Sequence, residues 1–490
     1  MRVLDYAMLL RGADTPVTGA GRLTIEDGVI TALEDDPAPI ETVGAEPGHL
    51  LLPALANAHD HGRGLRALAF GARDDALEVW ISELNLEPLT EPYVRAAVCF
   101  GRMAEAGIGA ANHCHQYQAN PDLFTEAEAV ARAARDVGIR IAFAVPIQGR
   151  NPIAYGDPAA LLAGLPPDEA EALAAAARAP LSWDAQLDAV ERIAELAHDC
   201  FIVQYGPIAP QWVDDTALAE VARRSEATGR RVHMHLLETR LQREWGDATY
   251  PGGLVRHLDS IGLLSPRLTV AHGVWLSDDD CALLAERGVT VSVNTSSNLR
   301  LRSGTAPVER FVKHGLAFGV GVDGAAFDDD EDMLRELRLF WRMHRGLGPY
   351  DALARERLLQ AVLVDGRASI VGEDKGGRVE VGAPADLLLL DMTPVASDIL
   401  PGRVDPLDLL IARGTNRLVR DLYIGGRRVV ADGRCQGVNL AAAEQELTRQ
   451  ARAAAGPYDR GRQERLTHAV ANYYRCGCHL PGSLRSTGLS

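Results

Sequence analysis

The chain has 490 residues, of which 24% are charged and 47% hydrophobic, and its formal net charge is -17. This composition excludes wholesale disorder, and the negative charge argues against a general nucleic-acid binder. The sequence contains neither an apolar stretch of about eighteen residues nor a basic-then-apolar amino terminus, so we expect no membrane span and no secretory signal. We therefore expect a cytoplasmic protein whose partners are small molecules.

The two ends of the chain share a residue pattern that differs from that of the middle. Residues 1–48 carry short alternating runs, with Asp27-Gly28 as a hairpin turn, and residues 376–435 repeat this style. We predict that both ends form one small composite β-sandwich. The predicted domains are then 1–48 with 376–435, a central domain over 49–375, and a C-terminal helix and tail over 436–490.

The central part alternates apolar runs with helical patterns. Continuous apolar runs bounded by Gly and polar residues are typical of strands that are buried on both faces. The runs lie near residues 50–59, 107–113, 140–147, 201–206, 231–237, 268–272, 289–294 and 317–323. Helical patterns include 124–137, 215–229, 277–287 and 330–345, and residues 158–199 suggest an inserted helical hairpin. Eight strands alternating with helices predict an α/β fold of the (β/α)8 TIM barrel type.

Ionisable residues close four of the apolar runs. His59 and His61 end the first run, and residues two apart on a strand point to the same face. Later runs close on His235 with Glu238, on His272 and on Asp323. Taken singly, each could be a core histidine, a helix cap or an arginine partner. Together they lie where barrel active sites form, and a divalent cation would compensate buried imidazole and carboxylate groups at once.

Other polar residues near the strand ends are weaker candidates. His113 and His115 form a second His-x-His pair that we expect to face inward at the barrel mouth, where substrate binding and simple packing are equally good interpretations. Gln148, at the end of the third run, is a similar candidate for substrate binding. Arg63 and Trp80 lie in the long connection after the first strand, where they would either cap a pocket or be ordinary surface residues.

Cysteine and lysine usage limits the alternatives. The seven cysteines are scattered and odd in number, so free thiols are expected, although Cys476, Cys478 and His479 could in principle bind a metal. The sequence has only two lysines, Lys313 and Lys375, and neither lies where a carboxylated lysine could bridge two metals. This favours a site for a single metal ion.

The ordered residues carry a family resemblance. The order His59-x-His61, His235-x-x-Glu238, His272 and Asp323-Gly324 resembles the amidohydrolase superfamily. The similar branch uses one metal and contains cytosine deaminase, S-adenosylhomocysteine-type deaminases and triazine chlorohydrolases. Further matching segments are 271–276, 294–304 and 382–387, and the resemblance extends to about residue 450.

The resemblance implies a set of site residues. His59, His61, His235 and Asp323 would hold one divalent ion, usually zinc and sometimes iron, and suit either metal. His235 is preferred over His233, which lies deeper and is expected to pack in the core. The ion would lower the pKa of its water toward about 7 and so supply hydroxide.

Three further roles follow from the same resemblance. Asp323 would accept the water proton, His272 would hydrogen-bond the hydroxide or oxyanion, and Glu238 would protonate a ring nitrogen of the substrate. The implied reaction is hydrolytic deamination of a small nitrogen heterocycle. Alternatives at the same site are dechlorination, alkylamine removal and cyclic amide opening. A non-catalytic scaffold would need none of these residues and is disfavoured.

The chain also departs from its lookalikes. Ile208 occupies a position where nucleoside-type deaminases have histidine, so a polar contact for a ribose is missing. The arginine-rich segment 456–490 lies beyond the resemblance and is expected either to dock on an acidic neighbouring subunit or to stay disordered. Lookalikes are often homo-oligomers, which leaves the oligomeric state open.

Overall fold

The computed structural model describes residues 1–44, 47–116, 118, 122–177, 181–324 and 329–481. Its strands are β1 (Arg2–Tyr6), β2 (Met8–Leu10), β3 (Val17–Thr18), β4 (Gly21–Glu26), β5 (Val29–Asp35), β6 (His49–Pro53), β7 (Leu55–Asp60), β8 (Ile108–Cys114), β9 (Arg140–Ile147), β10 (Phe201–Pro207), β11 (Val232–Leu236), β12 (Leu268–His272), β13 (Thr290–Val293), β14 (Ala317–Val320), β15 (Leu387–Asp391), β16 (Val419–Ile424), β17 (Arg427–Ala431) and β18 (Arg434–Cys435).

The α-helices are α1 (Leu77–Glu83), α2 (Pro92–Glu105), α3 (Leu123–Val137), α4 (Ala159–Ala163), α5 (Pro167–Ala176), α6 (Trp183–Ala194), α7 (Asp215–Thr228), α8 (Arg240–Thr249), α9 (Leu254–Ser260), α10 (Asp278–Glu286), α11 (Thr295–Arg300), α12 (Val308–His314), α13 (Met333–His344), α14 (Arg355–Gln360), α15 (Gly366–Val371), α16 (Thr393–Ala396), α17 (Pro406–Arg413), α18 (Leu440–Ala454) and α19 (Arg460–Arg475). The helices predicted over 124–137, 215–229, 277–287 and 330–345 correspond to α3, α7, α10 and α13.

Strands β7 to β14 form the predicted barrel. They follow one another in chain order, and each pairs in parallel with the next. The last strand returns to the first: a Cβ atom on Gly319 of β14 would fall 2.7 Å from Ala58 of β7, so only glycine allows this approach. The predicted TIM barrel is confirmed.

The interior of the barrel is lined by small side chains and filled from one end by α15. Ala56, Ala110 and Ala142 form a buried cluster with Ile370 of α15. Beside it, Asn112 donates to Ser369 Oγ of α15 over 3.0 Å. Because the helix fills this part of the barrel, the ionisable side chains gather toward the carboxyl ends of the strands.

The two chain ends build a second unit, as predicted. One sheet has the order β18-β17-β16-β15-β6-β2-β3 and the other β1-β4-β5. Apolar side chains of both sheets form a shared core. Its members include Tyr6, Leu9, Leu23, Ile25, Ile30, Leu51, Leu387 and Tyr423.

The run 50–59, predicted as one strand, is two strands in different sheets. His49–Pro53 pairs with β15 and β2 of the composite unit, whereas Leu55–Asp60 belongs to the barrel. Ala54 is the residue between them. The proline at position 53 offers no N–H for continued pairing, which suits a strand end. The barrel therefore begins at Leu55 rather than at residue 49.

The C-terminal segment packs on its own chain. Val470 and Tyr473 of α19 are buried in a cluster with Val79 of α1 and Leu161 of α4, so α19 packs on helices of its own chain. Residues 482–490 of the predicted tail lie outside the described residues. Cys476 and Cys478 form a disulfide, which corrects the expectation of free thiols for this pair. None of the helices in the described part of the chain is long and apolar enough to cross a bilayer.

Candidate metal centre and active site

The four predicted metal ligands meet at the carboxyl end of the barrel. Nε2 of His59 lies 3.1 Å and Nε2 of His61 lies 3.4 Å from Oδ1 of Asp323. Nε2 of His235 lies 3.4 Å from Nε2 of His61. Nε2 of His59 is buried and has no hydrogen-bond partner among the described residues. An orphaned imidazole nitrogen facing a carboxylate and two further imidazoles fits a divalent metal ion.

The Nδ1 atoms of His61 and His235 donate hydrogen bonds to backbone carbonyls. His61 Nδ1 donates to the carbonyl of Cys114 over 3.0 Å, and His235 Nδ1 donates to the carbonyl of Ile208 over 2.8 Å. Each bond places the proton on Nδ1 and leaves the Nε2 lone pair for a metal. Ile208, whose side chain departs from the family pattern, therefore contributes through its backbone.

His233 holds the third imidazole. Its Nε2 lies 2.7 Å from Nδ1 of His59, and the two rings are stacked. With Nδ1 of His59 as the donor in this contact, its Nε2 is free for a metal. His233 is fully buried, as expected, but it also orients a ligand, and its place two residues before His235 was the signal for this role.

Burial and neighbouring charges shift the pKa values of His235 and Asp323 toward the protonation states that a metal requires. Burial lowers the pKa of His235 to about 3, and neighbouring imidazoles add to this effect. Burial opposes ionisation of Asp323, but His59, His272 and His61 hold its pKa well below the usual range. Neutral imidazole and ionised carboxylate are the metal-binding forms of these groups.

Glu238 and His272 lie beside the ligand cluster. Nε2 of His272 is 3.6 Å from Oε2 of Glu238 and 3.8 Å from Oδ2 of Asp323. Ser303 Oγ donates to Oε1 of Glu238 over 3.2 Å. Burial raises the pKa of Glu238 to about 7, so this carboxyl can carry a proton near neutral pH. A buried carboxyl of this kind can act as a general acid.

The segment 294–304 positions the catalytic candidates His272 and Asp323. Asn298 Oδ1 accepts from Nδ1 of His272 over 2.9 Å, and Ser297 Oγ donates to Oδ2 of Asp323 over 2.5 Å. The sequence interpretation gave these two residues no role, although they lie in a segment that matched the family.

The backbone is strained where the site is formed. Asp323, His272 and Leu237 all have positive φ, at 58°, 75° and 48°. This left-handed conformation is costly for residues other than glycine and is typical of functional sites. These residues lie at or just after the strand ends. The backbone turns sharply there, and the turn keeps the functional side chains at the barrel mouth.

His113 and His115 do not face the barrel mouth, which corrects their expected orientation. His113 packs against Phe100 of α2, on the outer side of the barrel wall, because Asn112 takes the inward position on β8. His115 Nε2 lies 2.8 Å from Glu126 Oε2 of α3, and its Nδ1 lies 3.1 Å from His113 Nε2. This packing favours a structural role for both histidines.

Gln148 follows β9 at the same end of the barrel as the ligands. Its backbone N–H donates to Gln186 Oε1 over 2.8 Å, and the residue is half-buried. A role in substrate binding stays a prediction.

Comparison with known proteins agrees with this geometry. The model of the amidohydrolase family matches residues 50–429. A 5-methylthioadenosine/S-adenosylhomocysteine deaminase from Nitratidesulfovibrio vulgaris is 30% identical over 455 residues, which cover 87% of this chain and 93% of the relative.

Two solved structures share the fold. A zinc-bound adenosine deaminase from Xanthomonas campestris superposes with a TM-score of 0.74 at 23% identity, covering 92% of this chain and 98% of the other. Atrazine chlorohydrolase from Arthrobacter aurescens, complexed with zinc, superposes with a TM-score of 0.77 at 19% identity, covering 92% and 100%. At these identities the two structures establish the architecture.

Proposed function

Because the chain belongs to the amidohydrolase family, we propose that it is a zinc-dependent hydrolase that removes an exocyclic amine from a small nitrogen heterocycle. The observation that carries the proposal is the convergence of the ligand atoms of His59, His61 and Asp323 next to the buried Glu238 carboxyl. A deaminase needs both parts, a metal to provide the nucleophile and an acid for the ring nitrogen.

His59, His61, His235 and Asp323 would hold the divalent ion, which when bound supplies a water acidic enough to attack near neutral pH. Asp323 accepts the water proton at Oδ2, where Ser297 Oγ holds the carboxylate in place. His272 carries its proton on Nδ1, facing Asn298, so its Nε2 accepts a hydrogen bond from the attacking oxygen.

Glu238 supplies the proton for the substrate ring. Its protonated carboxyl donates to a ring nitrogen while the tetrahedral carbon forms, and a positioned acid of this kind typically contributes about 10² to 10⁴-fold. Glu238 is 3% and His272 1% exposed, so bulk water is largely excluded from the proton transfers. The leaving amine takes the proton held by Asp323 and departs as ammonia, and loss of the hydroxyl proton from the tetrahedral carbon forms the carbonyl and reprotonates Glu238.

The test is ammonia release from a panel of purines, pyrimidines, pterins and triazines by zinc-loaded protein, with chelator-treated protein as the control. Release that depends on zinc supports the proposal. The relatives named as deaminases make purine derivatives the first compounds to assay.

The same site could expel a different leaving group, and the similarity to atrazine chlorohydrolase gives this alternative a specific basis. Chloride and alkylamine release from substituted triazines should be measured in parallel. Zinc-dependent chloride release without ammonia release would replace deamination with dechlorination as the function.

A further inference from the structure

Arg63 is a buried cation for which the described residues offer no carboxylate partner. The residue is 7% exposed, and none of the described carboxylates lies within 4.0 Å of its guanidinium. One terminal nitrogen donates to Gln116 Oε1, whereas Nη1 is buried without a hydrogen-bond partner in the part of the chain that the structure describes. The guanidinium carbon lies 5.3 Å from the centre of the Trp80 ring.

This arrangement is costly unless a ligand completes it. A buried charge without a counter-charge typically costs several kcal/mol, and stacking on an aromatic ring returns only part of that cost. The charge of Glu87 acts on the guanidinium but does not compensate it fully, because Glu87 pairs with Arg95 at 3.1 Å. An unpaired arginine in the barrel mouth is therefore better explained by a bound anion than by stability.

The position of Arg63 places such an anion next to the reacting centre. Arg63 follows His59, His61 and Gly62 directly in the chain, and it lines one cavity together with Trp80 and Asp323. The other guanidiniums of this cavity have partners: Arg300 pairs with Asp74 at 2.9 Å, and Nε of Arg66 donates to the carbonyl of Asp329 over 2.6 Å. Among the described residues lining the cavity, Arg63 is thus the buried guanidinium still open to a ligand.

We propose that Arg63 recognises the substrate, and that the substrate is an amino-substituted aromatic heterocycle bearing a negatively charged oxygen, either a ring carboxylate or an ionised ring oxo group. The flat Trp80 ring offers a stacking surface for the heterocycle. The planar guanidinium fork matches a carboxylate or oxo acceptor better than an ammonium would. This inference rests on the proposed function for the identity of the leaving amine, but not for the binding of the anion.

The test uses matched ligand pairs and zinc-loaded full-length protein. Pterin-6-carboxylate with pterin tests the carboxylate, and ammelide with melamine at mildly alkaline pH tests the ionised oxo group. Binding of each compound is measured by calorimetry to the wild type, Arg63→Gln, Arg63→Lys and the control Arg287→Gln. Arg287 pairs with Asp259 on the surface and lines no part of this cavity.

We expect the wild type and Arg287→Gln to bind the anionic member of at least one pair 10-fold or more tighter than its neutral partner. Arg63→Gln should abolish this preference while leaving binding of the neutral member within 3-fold. Arg63→Lys, which keeps the charge and the apolar stem, should retain part of the preference and provides the readout if Arg63→Gln fails to fold. The pair that shows the preference identifies the source of the negative oxygen.

The proposal is overturned if the wild type prefers neither anion, or if Arg63→Gln keeps the preference of the wild type. If Arg63→Gln does not fold, an undiminished preference in Arg63→Lys overturns it. It is also overturned if binding of neutral and anionic members falls equally in these variants, because that result indicates a structural role. Ammonia release is followed with the same compounds: anion-selective binding without ammonia would reject the proposed deamination and leave the Arg63 subsite standing. Ammonia release with equal kcat/KM for both members of each pair would support the proposed deamination and reject the Arg63 subsite.

Discussion

The backbone N–H of Asp323 donates to the carbonyl of His59 over 3.0 Å, so the segment after the last barrel strand is joined to the first strand at two metal-ligand positions. Nearby, the N–H of Val322 donates to Asn57 Oδ1 over 2.9 Å. Closing the barrel therefore brings the two ligand positions together. A shift of the backbone at either position would break this bond at the seam.

Asp323→Asn should lose both metal and turnover. The amide keeps the size of the side chain but removes the charge that binds the cation and the oxygen that accepts the water proton. We expect at least about a 10³-fold fall in kcat and substoichiometric zinc, by analogy with the loss of a charged group that acts on both metal and nucleophile. Elemental analysis and ammonia release check this, with the surface variant Asp259→Asn as the control. Full metal content with full turnover would remove Asp323 from the mechanism.

Glu238→Gln should separate catalysis from metal binding. The amide can still accept from Ser303 but cannot deliver the proton, so kcat should fall by about 10² to 10⁴-fold while the zinc content stays unchanged. Ser303→Ala removes only the hydrogen bond to Glu238 Oε1 and should reduce kcat far less. If Glu238→Gln turned over substrate at the wild-type rate, another group would have to be the acid.

His233→Asn should weaken zinc binding without touching the ion. The substitution removes the hydrogen bond that fixes the His59 ring. Mutation of a residue that hydrogen-bonds a metal ligand typically lowers metal affinity about 10 to 100-fold. Competition with a chromogenic chelator measures the affinity. His198→Asn, which alters a histidine bonded to the Ala131 carbonyl, is the matched control. Equal affinities for both variants would contradict a role for His233 in orienting His59.

Gly62→Ala should disrupt the turn that carries His61. The new Cβ would fall 2.1 Å from His113 Nδ1, and φ is already +59°. Gly229 also has a positive φ, +72°, but open space around its Cβ position. Gly229→Ala should therefore cost about 1 kcal/mol from backbone strain alone, and Gly62→Ala should cost several kcal/mol more from the clash. Thermal unfolding and zinc content compare the two variants, and similar losses would show that His113 does not support the turn.

Glu336 gives a dependence of stability on pH. Burial raises the pKa of this carboxyl to about 7, although it accepts a bond from the Ser296 N–H over 3.0 Å. The unfolded chain ionises near the ordinary pKa, 4.5, so the folded state loses stability as the pH rises from there through 7. The full loss corresponds to about 3 kcal/mol.

Glu336→Gln removes this titration. The difference in free energy of unfolding between Glu336→Gln and the wild type should shift in favour of the variant from pH 5 to pH 8. The size of this shift should approach the loss of about 3 kcal/mol expected for the wild type. Thermal scans of metal-free protein, where no cation competes for the charge, measure the difference, and Glu128→Gln at an exposed helix position is the control. A difference that does not change with pH would mean that Glu336 is already neutral, or already ionised, at both pH values.

The sequence alone determined the barrel, the composite β unit and the order of the ionisable residues at the strand ends. These features are local, because hydrophobic periodicity, glycine at the strand ends and the spacing of His59 and His61 can be recognised without knowing the packing. The boundary between β6 and β7 at Ala54 could not be recognised from such local patterns. Residues 50–56 form one continuous apolar run, and only the pairing partners place 50–53 and 55–60 in different sheets.

Only the tertiary structure decided which way individual side chains face and what meets them. Asn112 takes the inward position on β8, so His113 faces the outer helices, and a shift of one residue along a strand reverses every side chain. The bond between His233 and His59, and the lack of a carboxylate beside Arg63 among the described residues, likewise depend on residues far apart in the chain. Hydrogen bonding and charge compensation are properties of neighbours in space, and the order of residues does not specify those neighbours until the barrel has closed.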